Sequence, residues 1–327
     1  MRDADTLSPN PSPVKGEGGQ APQVTLPPPM RARVGERGIL VTGGNGQVGW
    51  ELQRTLAALG EVIAPGREAL DLSRPETLRA AVLALRPRWI VNAAAYTAVD
   101  KAESERDLAY VVNAESPRAL AEAAAEVGAA LVHYSTDYVF DGSGDSPFAE
   151  DAPVNPLNVY GASKAAGEVA IRAAYDRHLI LRTSWVYGTR GANFLLTMQR
   201  LMGERPELKI VDDQIGAPTW ARHIAEATAL MMAQIDSPAR GADRPVPWGT
   251  YHLTNAGETS WFGLAEAIRE ALGADTRLIP IPSSEYPTPA ARPLNSRLSN
   301  DRLARVFGIC LPDWRVGLNQ AMGQRRS

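Results

Sequence analysis

The most restrictive feature of the sequence is a glycine-rich turn between a short apolar run and an amphipathic segment. Residues 38–42 (GILVT) have the length and composition of a buried strand, and residues 43–49 (GGNGQVG) follow directly. Residues 47–59 then place apolar side chains at helical spacing. Glycines three residues apart suit a tight turn, a close approach to a pyrophosphate and a helix packed against a sheet. The pattern predicts a dinucleotide-binding turn whose contacts come from Gly43, Gly46, Gln47, Val48 and Gly49.

Strand and helix patterns alternate through the first half of the chain. Between the apolar runs lie helical patterns, one opened by Pro75, one over residues 107–126 and one over about 158–175. The further apolar runs lie at residues 61–64, 89–92, 129–134 and 178–182. Such alternation predicts an α/β Rossmann fold with a doubly wound parallel sheet. The alternation loosens after about residue 186. We therefore expect a Rossmann domain over 37–186 and, over 187–327, a smaller substrate-binding region partly interleaved with the sheet.

The chain of 327 residues begins with a segment of different character. Residues 1–36 are rich in proline, contain no aromatic residue and show no apolar periodicity, so we expect a disordered N-terminal extension. An alternative is that translation starts at Met30. The formal net charge of −3 argues against a nucleic-acid partner, and no apolar run is long enough for a membrane span. The single cysteine, Cys310, fits a reducing compartment, and we expect a cytoplasmic protein.

The turn after the second predicted strand bears on the choice of cofactor. NAD-dependent enzymes usually place an acid there for the ribose 2′-hydroxyl, but this chain offers Arg67, whose guanidinium suits a 2′-phosphate. Alternatively, Arg67 is a solvated surface residue, and Glu68 either pairs with it or takes the ribose itself. We expect Asp71 and Leu72 beside the adenine. The small residues Ala93, Ala94 and Ala95, followed by Tyr96, leave room for the cofactor to cross the third strand.

Two segments carry groups suited to carbonyl chemistry. Tyr160 and Lys164 are four residues apart, so they share one face of a helix, and a lysine cation is expected to lower the pKa of the tyrosine. A tyrosine of this kind exchanges a proton with a carbonyl oxygen. Thr136 follows the fourth strand, at the sheet edge where ligands bind, and Ser135 is the competing hydroxyl.

With these motifs in place, the chain resembles the extended short-chain dehydrogenases/reductases and, among them, the dTDP-4-dehydrorhamnose reductase family. The resemblance runs from Gly38 to about Leu318. The segments that carry it are 46–52 (GQVGWEL), 91–103 (VNAAAYTAVDKAE), 133–140 (HYSTDYVF), 156–161 (PLNVYG), 182–187 (RTSWVY), 213–219 (DQIGAPT), 286–290 (YPTPA) and 292–296 (RPLNS).

The resemblance implies a reductase that converts dTDP-4-dehydro-6-deoxy-L-mannose to dTDP-L-rhamnose, the last step of dTDP-rhamnose synthesis. It selects Thr136 over Ser135 and implies a catalytic set of Thr136, Tyr160 and Lys164, in which Lys164 also holds the nicotinamide ribose. It further implies that Thr136, Asp137 and Trp185 contact the sugar nucleotide. Together with Arg67, it leads us to expect NADPH as the cofactor, with NADH possible.

The sequence departs from its relatives at a metal site. Some relatives form dimers bridged by magnesium through carboxylates, one of which Glu51 retains, whereas Arg222 stands where a second is needed. An arginine has no lone pair for Mg²⁺. We therefore expect no metal, an ordinary exposed Glu51, and a monomer or a metal-independent homodimer.

Two other functions are open to a chain with this pattern. A nucleotide-sugar 4,6-dehydratase or epimerase shares the fold, but the dehydratases have an Asp-Glu pair after the threonine, where this chain has Asp137-Tyr138. A regulatory subunit that binds the dinucleotide without turnover would have no need of the proton donor Tyr160.

Overall fold

The computed structural model describes residues 38–240 and 245–323. The predicted disordered extension, residues 1–36, therefore lies outside the described residues. The strands are β1 (Ile39–Thr42), β2 (Val62–Ile63), β3 (Trp89–Asn92), β4 (Ala130–Thr136), β5 (His178–Thr183), β6 (Val186–Tyr187), β7 (Glu207–Val211), β8 (Ile215–Gly216), β9 (Thr219–Trp220), β10 (Gly249–His252), β11 (Thr259–Ser260), β12 (Arg277–Ile281) and β13 (Asn295–Ser296). The helices are α1 (Gln47–Thr55), α2 (Pro75–Leu85), α3 (Val99–Ala102), α4 (Arg106–Tyr110), α5 (Ser116–Val127), α6 (Val159–Ala174), α7 (Phe194–Glu204), α8 (Ala221–Asp236), α9 (Trp261–Leu272), α10 (Asp301–Phe307) and α11 (Trp314–Gly323).

A six-stranded parallel sheet forms the centre of the fold. Its strand order is β2-β1-β3-β4-β5-β10. The chain moves outward in one direction from β1 to β2 and in the other from β3 to β5, so the order reverses between β1 and β3. Ligands bind at such a reversal, outside the carboxyl ends of the strands. The predicted doubly wound Rossmann fold is confirmed.

Both faces of the sheet are covered, which explains why its strands are short and apolar. One face packs against α1 and α8, with Leu52 and Met231 in that core. The other packs against α2 and α5, with Leu78 and Leu120 fully buried. Helix α6 lies on this second face and contributes Ile171. The catalytic helix predicted around Tyr160 is therefore anchored to the sheet along its length.

The C-terminal part of the chain builds a second core beside the carboxyl edge of the sheet. Helices α7, α9 and α11 surround Trp220, Trp314 and Met198. Small sheets pair β7 with β12, β6 with β9, and β8 with both β11 and β13. Strand β10 instead joins the central sheet at β5. Among the described residues, no helix is both long and apolar enough to span a membrane.

The helix predicted over residues 107–126 has an irregular centre. Helices α4 and α5 are joined by a π-helical turn at Val111–Glu115. The turn contains Asn113, whose side chain pairs with both the main-chain N–H and the carbonyl of Tyr96, at 2.9 and 3.0 Å. A π turn of this kind commonly lies next to a functional site.

Candidate active site

A cleft of about 750 Å³ lies at the carboxyl edge of β1, β3 and β4 and continues under the second core. Of the predicted site residues, those that line it are Gly43, Gly46, Gln47, Val48, Arg67, Asp71, Leu72, Ala93, Ala94, Ala95, Tyr96, Thr136, Asp137, Tyr160, Lys164 and Trp185. Gly49 does not line it, because it packs beneath the glycine turn. The structure thus brings residues from six separate segments of the sequence to one surface.

The glycine turn has a specific steric requirement at two positions. Gly43 has a φ of +67°, and a Cβ atom there would lie 2.7 Å from the main-chain nitrogen of Ala94. A Cβ atom on Gly49 would lie 2.2 Å from the carbonyl oxygen of Gly43. Glycine at these positions therefore lets the turn adopt a left-handed conformation and lets α1 pack against it.

The turn also presents a free helix N-terminus to the cleft. Gly46 caps α1 without a side-chain hydrogen bond, and the first turn carries no acidic residue. The exposed N–H groups and the helix dipole both favour an anion there. The glycine turn and the uncapped helix therefore fit the pyrophosphate of a dinucleotide.

At the far end of the cleft, Arg67 is paired with Asp71. Arg67 Nε lies 3.2 Å from Asp71 Oδ1, and the arginine side chain is 77% exposed. Partial burial acts to raise the pKa of Asp71, but hydrogen bonds from Ser73 and the charge of Arg67 outweigh it, so the pKa is lowered. Because Arg67 is engaged by Asp71 here, both alternatives for Glu68 stay predictions.

The segment after β3 is held rigidly at the floor of the cleft. Asn113 fixes the main chain of Tyr96 from both sides. The phenol of Tyr96 donates to Glu105 Oε2 at 2.7 Å, and Lys101 Nζ lies 3.6 Å from the other carboxylate oxygen. Burial and the Glu105 hydrogen bond together raise the pKa of Tyr96.

Thr136 and Tyr160 meet at the end of β4. Thr136 is buried, accepts the main-chain N–H of Tyr138 at 3.2 Å and donates to Asp137 Oδ1 at 3.0 Å. Its hydroxyl also lies close enough to the phenol of Tyr160 to lower the pKa of that phenol. A hydroxyl pair of this kind can contact one carbonyl oxygen from two directions.

Helix α6 fixes the position of Tyr160 through its neighbours. Asn158 Oδ1 caps the helix by accepting the N–H of Gly161 at 2.8 Å, and its amide donates to the carbonyl of Ala291 at 2.7 Å. A Cβ atom on Gly161 would lie 2.1 Å from the carbonyl oxygen of Tyr138. The helix therefore starts in direct contact with the Thr136 turn, which places Tyr160 beside Thr136.

Lys164 is not hydrogen-bonded to Tyr160. Its ammonium nitrogen donates to the carbonyl of Tyr134 at 2.6 Å and lies 3.1 Å from His133 Nε2. Burial lowers the pKa of Lys164 to about 8, although the Glu168 charge acts in the opposite direction.

The expectation that Lys164 lowers the pKa of Tyr160 is wrong for this structure. Burial raises the pKa of Tyr160 to about 12, and the hydrogen bond from Thr136 offsets only part of that effect. The reason is that helical spacing places the two side chains on one face, but the lysine turns toward β4, where two acceptors hold it. Tyr160 is therefore a protonated acid at neutral pH.

Two predicted substrate residues flank this pair. Burial raises the pKa of Asp137 to about 6, although hydrogen bonds from Ser296 and Thr136 act to lower it. Trp185 has a φ of +47°, which is strained for a residue with a large side chain. It stacks on Trp261 with ring centroids 3.7 Å apart, and a Cβ atom on Gly216 would lie 2.7 Å from its ring. The indole is therefore fixed between a partner ring and a glycine.

Comparisons with known proteins identify the family of the chain. The sequence matches the family model for the RmlD substrate binding domain over residues 37–326. It is 54% identical to the dTDP-4-dehydrorhamnose reductase of Burkholderia thailandensis over 291 residues, covering 86% of this chain and 97% of that protein. The chain belongs to the dTDP-4-dehydrorhamnose reductase family.

Two solved reductases of this family have the same fold. The enzyme from Clostridium acetobutylicum is 37% identical, with a TM-score of 0.82 over 89% of this chain and 100% of that one. The enzyme from Bacillus anthracis, solved in complex with NADP, is also 37% identical, with a TM-score of 0.80 over 88% of this chain and 99% of that one.

Glu51 is the carboxylate that the sequence resemblance connects with a magnesium site. The expectation that Glu51 is exposed is wrong, because its side chain is only 8% exposed. Arg222 Nε lies 3.1 Å from Glu51 Oε2, and the guanidinium stacks over Trp220 at 4.9 Å. The Arg222 side chain, 17% exposed, therefore neutralises the acid within the same chain. No cluster of three or more metal-binding side chains occurs in the described part of this reductase-family chain.

Sequence reasoning missed several residues of the cleft. Trp261 and Phe194 line it from the second core, and Asn193 donates to Gln47 Oε1 at 2.9 Å, which ties the start of α1 to the loop before α7. These residues lie in the C-terminal half, where no motif marked them. The one available signal was the tryptophan content of that half, because a tryptophan there could be expected to stack on Trp185, as Trp261 does.

Proposed function

We propose that this protein reduces the C4 ketone of dTDP-4-dehydro-6-deoxy-L-mannose to dTDP-L-rhamnose, with NADPH as reductant. The observation that carries the proposal is the meeting of Thr136 and Tyr160 at one end of a glycine-floored cleft, with Lys164 also lining it. The names and sequence identities of the relatives support the substrate, and the NADP complex of a relative supports the cofactor.

The cofactor would lie between the glycine turn and Lys164. Gly43, Gly46, Gln47 and Val48 would hold its pyrophosphate, with Arg67 at the 2′-phosphate and Lys164 at the nicotinamide ribose. When bound, it supplies the hydride that reaches C4 of the sugar.

This chain's residues handle the proton and the charge. As hydride arrives, negative charge develops on the sugar O4, and Tyr160 donates its phenolic proton to that oxygen. The raised pKa keeps the phenol protonated until it is needed. With its hydroxyl proton turned from Asp137 to the same oxygen, Thr136 would stabilise the developing charge. Trp185 and Asp137 would fix the sugar, with the indole as a rigid apolar surface.

The dehydratase alternative lacks a necessary group. Water elimination requires an acid and a base next to the sugar, and dehydratases resemble one another in an Asp-Glu pair after the threonine. The residue after Asp137 here is Tyr138, whose pKa is raised by burial and which is therefore no base at neutral pH.

We further propose that the protein is a monomer or a metal-independent homodimer, because the ion pair with Arg222 occupies the carboxylate of Glu51. Its dTDP-sugar substrate and NADPH are cytoplasmic metabolites, and we propose that it works in the cytoplasm.

The test is direct turnover. The protein is incubated with NADPH and dTDP-4-dehydro-6-deoxy-L-mannose, nicotinamide absorbance is followed, and the product is identified by NMR. We expect stoichiometric oxidation of NADPH and formation of dTDP-L-rhamnose. No oxidation of NADPH, despite tight cofactor binding, would favour a non-catalytic dinucleotide-binding subunit.

Tyr160→Phe tests the proton donor. The ring still packs against Tyr138, with ring centroids 5.7 Å apart, so only the hydroxyl is lost. We expect kcat to fall by roughly 10²–10⁴-fold with NADPH affinity retained. Tyr175→Phe, at the other end of α6, is the matched control and should keep the wild-type rate. A Tyr160→Phe rate within threefold of wild type would remove Tyr160 from the proposed mechanism.

A further inference from the structure

A buried chain of polar side chains runs behind Lys164, away from the cleft. Thr42 at the end of β1 donates to Asn92 Oδ1 at 2.6 Å, and Asn92 Nδ2 lies 3.0 Å from His133 Nδ1. His133 Nε2 lies 3.1 Å from Lys164 Nζ. Each of these four side chains belongs to a residue that is at most 2% exposed. Nothing in the proposed proton transfer to the sugar uses His133.

We propose that His133 is a positioning residue that holds Lys164 through Nε2 and directs the remaining N–H of the lysine into the cleft. This proposal deepens the proposed function and rests on it for its kinetic consequence. An ammonium has three donors. One is used by the carbonyl of Tyr134 at 2.6 Å. A second is used by His133 when the Asn92 amide is rotated so that Nδ1 carries the imidazole proton and Nε2 accepts, which leaves a single N–H for a ligand.

Without His133, the orientation of the Lys164 ammonium would not be fixed. Its side chain has four rotatable bonds, and one fixed acceptor at Tyr134 does not define where the other two N–H groups point. A second partner on the same strand, His133, does define the direction of these N–H groups. Misplacement of a catalytic group by about 1 Å costs on the order of 10²-fold in rate, so a fixed direction matters.

The imidazole can serve Lys164 in either charge state. When the lysine is charged, Nε2 accepts from it, Nδ1–H donates to the amide oxygen of Asn92, and the amide NH₂ donates to Thr42. When the lysine is neutral, Nε2–H donates to it, Nδ1 accepts from the amide NH₂, and the amide oxygen accepts from Thr42. A rotation of the Asn92 amide and a change of imidazole tautomer connect the two arrangements.

The charges around the pair favour a neutral imidazole. Burial, with Lys164 on α6 and His178 on β5, holds the pKa of His133 well below its usual range. Asn92, facing it from β3, carries no charge. Glu168, one helical turn beyond Lys164, is the acid that acts on the lysine and favours its charged form. His133 is therefore uncharged across the working pH range, and its tautomer sets whether Nε2 accepts from or donates to the lysine.

A pair of variants separates the two ring nitrogens. The amide of glutamine reaches the position of Nε2, whereas that of asparagine reaches only the position of Nδ1. Because an acceptor stabilises the ammonium form, His133→Asn should lower the pKa of Lys164 by about one unit, and His133→Gln should leave it near the wild-type value.

The readout is NMR of ¹³Cε-labelled lysine in the full chain. The protein has four lysines, and the Lys164 signal is the one lost in Lys164→Met. His223→Asn is the matched control: this histidine is also buried and is bonded to an amide, Asn255 Nδ2 at 2.8 Å, but it lies in the second core. It should leave the Lys164 titration unchanged.

Kinetics give the second readout. In His133→Asn, kcat for the keto sugar should fall by about 10–100-fold with little change in its KM, and His133→Gln should recover most of the rate. The NMR titration needs no substrate. A protein that is inactive on this sugar would therefore refute the proposed function, and the effect of His133 on Lys164 could still be measured by NMR.

Three results would overturn the proposal. One is an unchanged Lys164 titration in His133→Asn, another is an equal shift in the asparagine and glutamine variants, and the third is wild-type kcat in His133→Asn. If His133→Asn does not fold, His133→Phe replaces it, because phenylalanine keeps the ring volume, removes both nitrogens and carries the same expectations.

Discussion

A buried ion pair attaches helix α6 to the sheet, and removing one partner should lower the stability substantially. Glu168 on α6 is fully buried, and Arg182 on β5 is 2% exposed. Arg182 donates to both carboxylate oxygens, at 2.8 and 2.7 Å, and its guanidinium stacks over Phe140. Arg182→Met should lower the free energy of unfolding by about 3–5 kcal/mol, because a buried carboxylate loses its main partner. Arg172, 3.2 Å from the same carboxylate, would recover part of that loss.

The assay is urea unfolding followed by tryptophan fluorescence at several pH values. Burial acts to raise the pKa of Glu168, but hydrogen bonds and charge from Arg182 outweigh it and the pKa is lowered. In wild type the pair therefore stabilises the fold above the unfolded-state pKa of glutamate, and its contribution is lost as pH falls through the lower folded-state pKa. In Arg182→Met the pKa of Glu168 should instead be raised, so the variant's deficit should shrink from pH 8 to pH 5.

Two controls define the interpretation. Arg118→Met breaks an exposed pair with Glu122, 3.0 Å apart on α5, and should cost no more than about 1 kcal/mol. Replacing both members of the buried pair, Glu168→Gln with Arg182→Met, should recover much of the stability lost in the single variant. A deficit below about 1 kcal/mol in Arg182→Met, or one that does not change with pH, would refute the reasoning.

Three further outcomes are expected. Lys164→Met should weaken NADPH binding and lower kcat together, and unchanged NADPH affinity would show that the lysine does not reach the ribose. In wild type, kcat should decline as pH rises through about 8, where the ammonium loses its proton. Arg67→Ala should reduce the preference for NADPH over NADH by roughly 10–150-fold and leave NADH kinetics unchanged, whereas Arg74→Ala, a nearby exposed arginine, should do neither; equal use of both cofactors by wild type would contradict this. EDTA should change neither activity nor mass by light scattering, because Arg222 already neutralises Glu51; a dimer that dissociates on chelation and reforms with magnesium would contradict this.

The parts of the fold that depend on neighbouring residues were predictable from the sequence. The strand, glycine turn and helix at residues 38–55 are specified locally, by apolar runs and by positions where a Cβ atom does not fit. The same holds for Asn158 as the cap of α6. Asn158 is three residues from Gly161, and Gly49 is six residues from the Gly43 carbonyl that leaves no room for a Cβ atom. Gly43 itself is also constrained by the distant main chain of Ala94.

The predictions that were wrong concern residues whose positions depend on contacts distant in the sequence. A charged residue on a surface helix is normally exposed, but Arg222, 171 positions away in the sequence, draws Glu51 into a buried pair. Helical spacing predicts that Lys164 meets Tyr160, but the ammonium is instead hydrogen-bonded to the Tyr134 carbonyl and lies beside His133, both on β4. The π turn at Asn113 follows from tight packing against Gly167, where a Cβ atom would lie 2.1 Å from the Asn113 carbonyl oxygen.

The sixth strand of the central sheet has a consequence for how such a chain can be divided. Strand β10 lies some 66 residues beyond the end of β5, yet it pairs with β5 along Leu179–Arg182. A fragment that stopped after β6 would leave that edge of β5 with unpaired main-chain groups, an edge prone to pair with other chains. The N-terminal and C-terminal parts of the chain are therefore not interchangeable modules. A chimera that takes its C-terminal part from another reductase must also accept that enzyme's strand beside its own β5. A new sugar specificity is therefore more readily reached by changing the loops around the cleft than by recombining the two halves.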